Sequence, residues 1–248
     1  MCNNEDKTLY ELSTEEYMVA FIDILGSSKM IENDSIGSLN LVHQVFENAL
    51  NHYKQGLMFI RHPVFEDNYS EKVDIRIFSD NIVLYTKIGR SIRDCFIHFV
   101  FLAGFMQSLF LKKGLLVRGG VSKGDFYADD IMIWGNALVN AHKIEDSIAI
   151  YPRIVIQPSI IYSVGEEFAH AFECLSIDED GCYYVDYLGE SIFPDLSTAV
   201  ANARKNCELQ LQNAGYNTDK ENLKIVQKLL WQRSYIDRCE KKMNSPNF

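Results

Sequence analysis

Residues 73–85 read VDIRIFSDNIVLY, two short runs of strand-forming residues that meet at Asp80-Asn81. A connection this short fits only an antiparallel hairpin, with Asp80 at its tip. Residues 17–28 read YMVAFIDILGSS, an almost wholly apolar run that is interrupted by Asp23. Such a run predicts a central strand buried on both faces. The sequence therefore places a bare carboxylate near the end of each of two strands.

The elements around these stretches follow the order strand, helix, hairpin, helix, strand. We expect strands at 17–25, 73–79, 82–87, 115–122, 125–134 and 153–157, and a later hairpin at 174–188. We expect helices from Ser38 to Gly56, from 91 to 113, from 135 to 148 and after Pro158. A last helix begins at a capping box of Thr218 and Glu221 and runs to about 242. The order βαββαβ predicts an α+β fold, a ferredoxin-like sheet with helices on one face. We expect one domain, with a core over 1–188 and a helical C-terminal extension over 189–248.

Composition limits the classes of function. The formal net charge of -10 argues against a protein bound to nucleic acid, because no basic surface is available to displace counterions. A small anionic substrate stays compatible, since Mg²⁺ or Mn²⁺ would supply positive charge locally. The six cysteines form no CxxC pair and no zinc spacing, and the chain has no signal-peptide pattern. Reduced thiols in a cytoplasmic protein are therefore expected.

One stretch is apolar enough to suggest a membrane. Residues 95–111 read CFIHFVFLAGFMQSLFL and include His98 and Gln107, with two lysines directly after them. This length is short for a membrane span. We interpret the stretch as a helix buried in a protein core and expect no membrane span; a membrane helix is the alternative.

The surroundings of the two aspartates suit phosphate chemistry. Gly26 permits a turn after the first strand, and Ser27 and Ser28 lead into a helical turn whose backbone N–H groups can hold phosphate. Asp23 and Asp80 could bind two divalent cations, which stabilise the attacking and leaving oxygens of a displacement at phosphorus. Either aspartate alone is more often a simple turn residue. Their order on one βαββαβ frame makes the pair much more specific.

The chain resembles the class III nucleotidyl cyclases, the family of the adenylate and guanylate cyclases. The resemblance covers about residues 17–157. The residues that carry it are Phe21 to Gly26 for the first metal motif, Ser79-Asp80 for the second, Arg118, Gly120, Val121 and Gly124 for the following strand, and Trp134-Gly135, Ala141 and Glu145 for the helix after it.

This resemblance implies a catalytic core and a mechanism. Asp23, Asp80 and the carbonyl of Ile24 would hold two Mn²⁺ or Mg²⁺ ions, and residues 26–28 would bind phosphate through the backbone. The 3′-hydroxyl of a nucleoside triphosphate would attack the α-phosphate, and pyrophosphate would leave. The family builds its sites across a homodimer interface, so a homodimer is expected.

Several positions depart from the family's pattern. The transition-state Asn falls on Val139, with Asn140 one residue later, and the transition-state Arg falls on Lys143, which keeps the charge but loses the bidentate fork. Lys143 or Asn140 would then stabilise charge on the transferring phosphate. The loss of this pair also leaves open a cyclase-like module that binds nucleotide without turnover.

Two further departures concern the base. Arg76 stands where the family has its adenine-reading Lys, and Met132 stands where the partner Asp is found. Methionine cannot accept a hydrogen bond from an adenine amino group as a carboxylate does, so adenine specificity is not expected. Arg76 could donate to a pyrimidine carbonyl; alternatively, it is a strand residue that pairs with an acid.

Arg76 also makes the chain similar to the pyrimidine cyclases of the bacterial Pycsar antiphage system. That resemblance implies UTP or CTP as substrate and a cyclic nucleotide that activates a separate effector. Purine cyclisation and oligonucleotide synthesis remain alternatives. Three other features receive no site role: His142 is expected to be an ordinary helix residue, Asp129-Asp130 to point to opposite faces of a strand, and residues 178–181 to form a turn.

Overall fold

The computed structural model describes residues 12–59, 73–189, 192, 196–215 and 219–244, with the backbone alone over 52–59. The strands are β1 Glu15–Ile24, β2 Asp74–Phe78, β3 Asn81–Lys87, β4 Val117–Ala128, β5 Ile133–Trp134, β6 Ile154–Ile156, β7 Leu175–Ile177 and β8 Tyr183–Val185. The helices are α1 Ser27–Asn33, α2 Ser35–Phe59, α3 Ile92–Lys112, α4 Asn136–Ser147, α5 Pro158–Val164, α6 Glu166–Ala171, α7 Leu196–Ala214 and α8 Lys220–Asn244.

The sheet has the strand order β2-β3-β1-β4-β6-β8-β7, and β5 pairs with the end of β4. Strand β1 is antiparallel to both β3 and β4, and β4 is parallel to β6. The four strands β2-β3-β1-β4, connected through α2 and α3, form the predicted ferredoxin-like βαββαβ arrangement. The α+β fold class is therefore confirmed.

Helices cover both faces of this sheet, whereas the sequence analysis placed them on one. Alternate residues of a strand point to opposite faces. On one face, Ala20 and Ile22 of β1 join a core cluster with Phe99 of α3. On the other face, Val19 packs in a cluster with Ala141 of α4. The prediction of a β1 strand buried on both faces is confirmed, and the prediction of a single helical layer is wrong.

Close packing joins β4 to α4 at Gly120. A Cβ atom built at Gly120 would lie 2.5 Å from Cβ of Ile144 and would also meet the carbonyl oxygen of Ala141. Both neighbours belong to α4, and a helix backbone cannot yield as a flexible side chain can. Position 120 therefore admits only glycine at the observed separation of strand and helix.

We expect Gly120→Ala to lower the free energy of unfolding by about 1–3 kcal/mol, the usual cost of overpacking a filled core. Chemical denaturation monitored by circular dichroism measures the change. Gly181→Ala is the control: it occupies a turn with φ of +79° and has no atom within 4 Å of the new methyl group, so its cost arises from backbone strain alone. Wild-type stability in Gly120→Ala would contradict this account of the packing.

Several predicted boundaries need correction. Helix α2 begins at Ser35 because Asp34 Oδ1 accepts the N–H of Gly37 at 2.9 Å, so Ser38 is not the cap. The hydroxyl of Ser38 instead donates to the carbonyl of Met30 at 2.8 Å. The same helix continues past Gly56 to Phe59.

Two other predictions concern longer elements. Strand β4 is continuous, whereas the sequence analysis divided it into two strands at 115–122 and 125–134; its pairing with all ten residues of β1 keeps it extended. Thr218 of the predicted capping box lies outside the described residues. Asp219 caps α8, because its Oδ1 accepts the N–H groups of Glu221 and Asn222.

The two C-terminal helices pack against the β8 end of the sheet. Tyr235 of α8 lies in one buried cluster with Tyr184 and Tyr187, and Val200 of α7 joins the same cluster. Helix α3 is the one described helix that is long and apolar enough to cross a membrane, and most of it is buried inside the fold. The five described cysteines are free thiols.

Candidate active site

The β2–β3 hairpin holds Asp80 in a fixed position. The backbone N–H of Ile24 donates to the Asp80 carbonyl at 3.1 Å, which ties the hairpin tip to the end of β1. The Ser27 hydroxyl donates to Asp80 Oδ2 at 2.5 Å, and the Asn81 amide donates to Oδ1 at 3.1 Å. The hydrogen bond from Ser27 is the main reason why the pKa of Asp80 lies below its usual range. This carboxylate is therefore ionised near neutral pH.

Asp23 lies beside this hairpin, near the end of β1. It faces Asn81 across one ladder and Arg118 across the other. Burial raises the pKa of Asp23, the Arg118 guanidinium opposes that rise, and the charge of Asp80 adds to it. The charge of Asp80 therefore acts on Asp23, and Asn81, next to Asp80, pairs with Asp23 in the β1–β3 ladder. Folding brings the two predicted carboxylates together.

An ion network continues from Asp23 onto α4. Arg118 Nε lies 3.4 Å from Asp23 Oδ2, and Arg118 Nη2 lies 2.7 Å from Glu145 Oε1. The Glu145 side chain is only 4% exposed, and burial raises its pKa. His142 Nδ1 lies 3.2 Å from the other oxygen of Glu145. One cation therefore links the carboxylate of Asp23 to the buried carboxylate of Glu145.

The sequence analysis assigned no function to the residues of this network. Arg118 and Glu145 were named only because they match the family's pattern, and His142 was expected to be an ordinary helix residue. Arg118 lies opposite Asp23 because of the register with which β1 pairs with β4. The number of residues between the two positions does not reveal that register, so the sequence alone could not pair them.

The residues of the predicted phosphate loop, 26–28, have different structural roles. Gly26 has φ of +80°, a left-handed conformation that favours glycine, and it lies directly before α1, two residues after the end of β1. Ser28 is exposed, but Ser27 is buried and its hydroxyl is engaged by Asp80. Ser27 therefore positions a carboxylate. Phosphate binding by this turn, and a metal contact from the Ile24 carbonyl, stay predictions.

The donor set suits a hard divalent cation. Within the described ranges, no group of three or more His, Cys, Asp and Glu side chains forms a complete metal cage. Mg²⁺ commonly uses one or two carboxylates together with water and substrate phosphate oxygens. The ionised Asp80 meets this requirement, and no described residue donates a hydrogen bond to Asp23 Oδ1. Asp23 and Asp80 would thus hold Mg²⁺ or Mn²⁺ in partnership with a phosphate ligand.

Arg76 and Met132, the two residues predicted to contact the base, are linked through Asp129. Arg76 Nη2 donates to the backbone carbonyl of Asp129 at 2.6 Å. Asp129 in turn accepts the N–H of Met132 at its Oδ1, at 2.7 Å. Arg76 and Met132 are therefore neighbours through one turn. This bond reaches a backbone carbonyl and not a carboxylate, so the two interpretations that the sequence left open for Arg76 both stay predictions.

The predicted transition-state residues lie on the outer side of α4. Lys143 is exposed, Asn140 is partly exposed and Val139 is 51% exposed. Neither Lys143 nor Asn140 makes an ion pair or a hydrogen bond with the two aspartates among the described residues. Within one chain, therefore, these residues are not part of the network around Asp23.

A band of apolar side chains is exposed close to this side of α4. We call it the β5 patch; it comprises Ile131, which is 91% exposed, Trp134, which is 67% exposed, and Met132 and Val139. Three of these side chains lie within four positions of the chain around β5, and exposed large apolar side chains grouped in this way are typical of an interaction surface.

A cavity of about 480 Å³ opens beside Asp80. It lies between α1, α2 and the β2–β3 hairpin. Ser27 and Asp80 form part of its polar wall, and Phe46 and Ile77 contribute to its apolar wall.

Comparisons with known proteins found similarity only among solved structures. No protein-family model and no curated protein matches the chain. The catalytic core of a rhodopsin-guanylyl cyclase with converted specificity, solved with ATPalphaS, is 15% identical with a TM-score of 0.47, over 70% of this chain and 97% of that one. An adenylate/guanylate cyclase/hydrolase from Silicibacter pomeroyi is 12% identical with a TM-score of 0.42, over 70% and 96%. Similarity at this level says nothing about substrate or activity.

Proposed function

We propose that this protein is a metal-dependent nucleotidyl cyclase that converts UTP or CTP into its 3′,5′-cyclic monophosphate and pyrophosphate. The observation that carries the proposal is the meeting of Asp23 and Asp80 at the ends of neighbouring strands. Ser27 and Asn81 hold Asp80 in place, and one carboxylate oxygen of Asp23 accepts no hydrogen bond from any residue that the structure describes. Two such carboxylates suit the metal-bound triphosphate that this reaction requires.

In the proposed reaction, the 3′-hydroxyl of the ribose loses its proton to water and its oxygen forms a bond to the α-phosphorus. The bond from that phosphorus to the bridging oxygen of pyrophosphate breaks, and pyrophosphate leaves. Bound divalent cations would supply Lewis-acid stabilisation of the attacking and leaving oxygens. Asp23 and Asp80 hold the cations, and Ser27 orients Asp80. Arg118 limits the repulsion between Asp23 and Glu145. Cyclisation is favoured because both reacting atoms belong to one bound molecule.

Base selection is proposed to rest on Arg76 and Met132. The guanidinium can donate to a pyrimidine carbonyl with its remaining N–H groups while one N–H stays on the Asp129 carbonyl. Met132 offers no acceptor strong enough for the adenine amino group. This pairing supports a pyrimidine over adenine.

A homodimer is part of the proposal. The β5 patch offers an apolar surface, and Lys143 and Asn140 extend from the same region without a partner in the aspartate network. If two copies meet through this patch, Lys143 of one protomer can serve the site of the other. Light scattering combined with a Trp134→Glu variant tests the dimer directly.

The cellular role follows from the proposed product. We propose that the cyclic pyrimidine nucleotide is a second messenger, made in the cytoplasm for antiphage defence and detected by a separate effector. The resemblance to the Pycsar cyclases, carried by Arg76, supports this role.

Product analysis is the decisive test. Purified protein is incubated separately with ATP, GTP, CTP and UTP in the presence of Mn²⁺, and the products are identified by chromatography and mass spectrometry. We expect 3′,5′-cyclic UMP or cyclic CMP with release of pyrophosphate, and no product with EDTA. A purine cyclic nucleotide as the main product would contradict the base assignment, and linear oligonucleotides would contradict the reaction.

A nucleotide-binding module without turnover is the second candidate function. Val139 and Lys143 favour it, because they occupy the positions where the resemblance implies Asn and Arg. Triphosphate binding by calorimetry without any product, at every Mn²⁺ concentration tested, would establish this alternative.

A further inference from the structure

The cavity beside Asp80 has an apolar wall on its inner side. Ile24, at the end of β1, contributes to this wall together with Val42 and Phe46 of α2. Phe46 is buried, and its ring meets the ring of Phe110 of α3 edge to face, with the two centroids 5.8 Å apart. The volume of about 480 Å³ lies within the usual range of small-molecule sites, which are mostly apolar with a few polar groups. This side of the cavity can therefore hold the apolar body of a small molecule.

The opposite side of the cavity is rich in hydrogen-bond acceptors. The hydroxyl of Ser27 donates to Asp80 Oδ2 at 2.5 Å, and the hydroxyl of Ser38 donates to the Met30 carbonyl at 2.8 Å. A hydroxyl group has a single hydrogen, so these two oxygens can only accept a further hydrogen bond. Both serines are buried, which makes them part of the protein interior. A ligand must therefore bring the donor.

The charge of the cavity is negative. Asp80 is the one acidic residue among the described residues that line it, and none of these is a lysine or an arginine. Ser27 and Asn81 donate to different oxygens of Asp80, and a carboxylate has about four acceptor positions, more than these two donors use. His43, the other titratable residue of the wall, is exposed, and its Nδ1 lies 3.7 Å from Glu47 Oε2. An anionic ligand would thus meet a carboxylate here, with no lysine or arginine beside it.

The two sides together select one kind of ligand. Apolar side chains favour a hydrocarbon body, and a carboxylate forms its strongest hydrogen bonds with a cationic donor. We infer that this cavity binds a small amine with an apolar body, and that the ammonium group of the amine lies on the Asp80 carboxylate. No such ligand is part of the proposed reaction, so the cavity is a second binding site next to the first.

Occupation of this cavity would regulate the candidate active site, because Asp80 belongs to both. Two cations on one carboxylate repel each other, so the amine and the divalent cation weaken each other's binding by the same factor. The amine is therefore an inhibitor that acts through metal affinity. This regulatory step deepens the proposed function and rests on it, whereas the binding of the amine does not.

The first experiment tests the class of ligand with phenethylamine as the probe. The full chain is titrated without metal by ligand-observed NMR, in parallel with phenethyl alcohol, phenylacetate and ethylamine. We expect phenethylamine to bind with a Kd on the order of 1 mM, as suits so small a molecule. The alcohol should bind at least about tenfold more weakly, the usual effect of losing a charged hydrogen bond. Phenylacetate and ethylamine should not bind measurably, because one lacks the cation and the other the apolar body. Equal binding of phenethylamine and phenylacetate would overturn the inference.

A set of variants locates the site. Leu39 and Ile36 are both exposed apolar residues of α2, at 66% and 74%, but only Leu39 lines the cavity. Leu39→Trp adds bulk to the cavity wall, and Val42→Phe adds bulk further inside. Each should weaken phenethylamine binding at least about tenfold, as the loss of the charged contact does, whereas Ile36→Trp should match wild type. Thermal unfolding confirms that each variant is folded. Wild-type affinity for phenethylamine in both Leu39→Trp and Val42→Phe would show that the amine binds elsewhere.

The second experiment measures the coupling without turnover. Free Mn²⁺ is measured by electron paramagnetic resonance, with and without saturating phenethylamine. We expect the amine to weaken Mn²⁺ binding by about 5- to 150-fold, the usual range of coupling between two sites, and to have no such effect in Leu39→Trp. Unchanged Mn²⁺ affinity in the presence of bound amine would overturn the regulatory step. If the amine binds and displaces Mn²⁺ while wild-type protein forms no cyclic nucleotide, the inference is supported and only the proposed reaction fails.

Discussion

Replacing Asp80 or Asp23 with asparagine is expected to abolish cyclic nucleotide formation, with a loss of about 10³-fold or more. Each variant removes one anionic metal ligand and keeps the shape of the side chain. Metal ions contribute several kcal/mol of transition-state stabilisation, and each 1.4 kcal/mol corresponds to a tenfold change in rate. Initial rates of product formation at saturating Mn²⁺ measure the loss.

The same variants have opposite expected effects on stability. The pKa of Asp80 is lowered in the folded protein, so its ionised form contributes stability above the usual aspartate pKa of about 4, and this contribution is lost as the pH falls below it. Asp80→Asn should therefore unfold at a slightly lower temperature at pH 7. Burial raises the pKa of Asp23, so the neutral Asp23→Asn should be as stable as wild type or more stable.

Glu167→Gln provides the control, because this carboxylate is exposed on α6. It should keep wild-type rate and stability. If Asp23→Asn or Asp80→Asn retained full activity while Mn²⁺ was still required, the metal assignment would be wrong. Inactivity in a variant that keeps its wild-type thermal unfolding would exclude misfolding as the cause.

The largest expected effect on stability belongs to Arg153. This side chain is 1% exposed; its Nη1 lies 2.6 Å from Asp178 Oδ2, and its Nη2 pairs with Asp180. Trp231 of α8 bonds to the same oxygen of Asp178. Arg153→Met would leave Asp178, which is 8% exposed, without its buried partner. Breaking a buried ion pair on one side costs about 3–5 kcal/mol.

At 2–4 °C per kcal/mol for a chain of this size, the expected decrease in Tm is on the order of 10 °C. Differential scanning calorimetry measures it. Arg233→Met, an exposed position on α8, should change Tm by less than about 2 °C, as surface substitutions usually do. A wild-type Tm in Arg153→Met would show that the ion cluster contributes nothing to the docking of α8.

Acid should diminish the difference between Arg153→Met and wild type. Hydrogen bonding to Arg153 lowers the pKa of Asp180 to about 2. The contribution of this pair is therefore fully present above the usual aspartate pKa of about 4, and it is lost as the pH falls through about 2. The two unfolding curves should converge over that interval.

Local patterns in the sequence predicted the framework of this molecule well. The apolar run around Asp23 indicated a strand buried on both faces, and the short connection at Asp80 indicated a hairpin. Both inferences depend on interactions between residues that are close in the chain. Helix α3 was predicted to within one residue at each end, because Ser91 caps its start and Gly114, with φ of +77°, follows its end.

Other features depended on contacts between distant parts of the chain. The second helical layer formed by α4 has no local signal, since an amphipathic helix can cover either face of a sheet. Similarly, the sequence predicted only that Ser27 binds phosphate through its backbone, which stays a prediction. Only the folded hairpin shows that its hydroxyl is engaged by Asp80.

By itself, then, the sequence determined that two carboxylates stand near the ends of strands in a βαββαβ frame, because strand burial and hairpin geometry are short-range properties. The tertiary structure alone decided what surrounds them. The register of β1 against β4 brings Arg118 opposite Asp23, 95 positions away in the chain. The charge of Lys228 on α8, more than 200 positions away in the chain, likewise lowers the pKa of Asp23. Electrostatic interactions follow distance in space, and that distance exists only after the sheet has paired and the helices have packed.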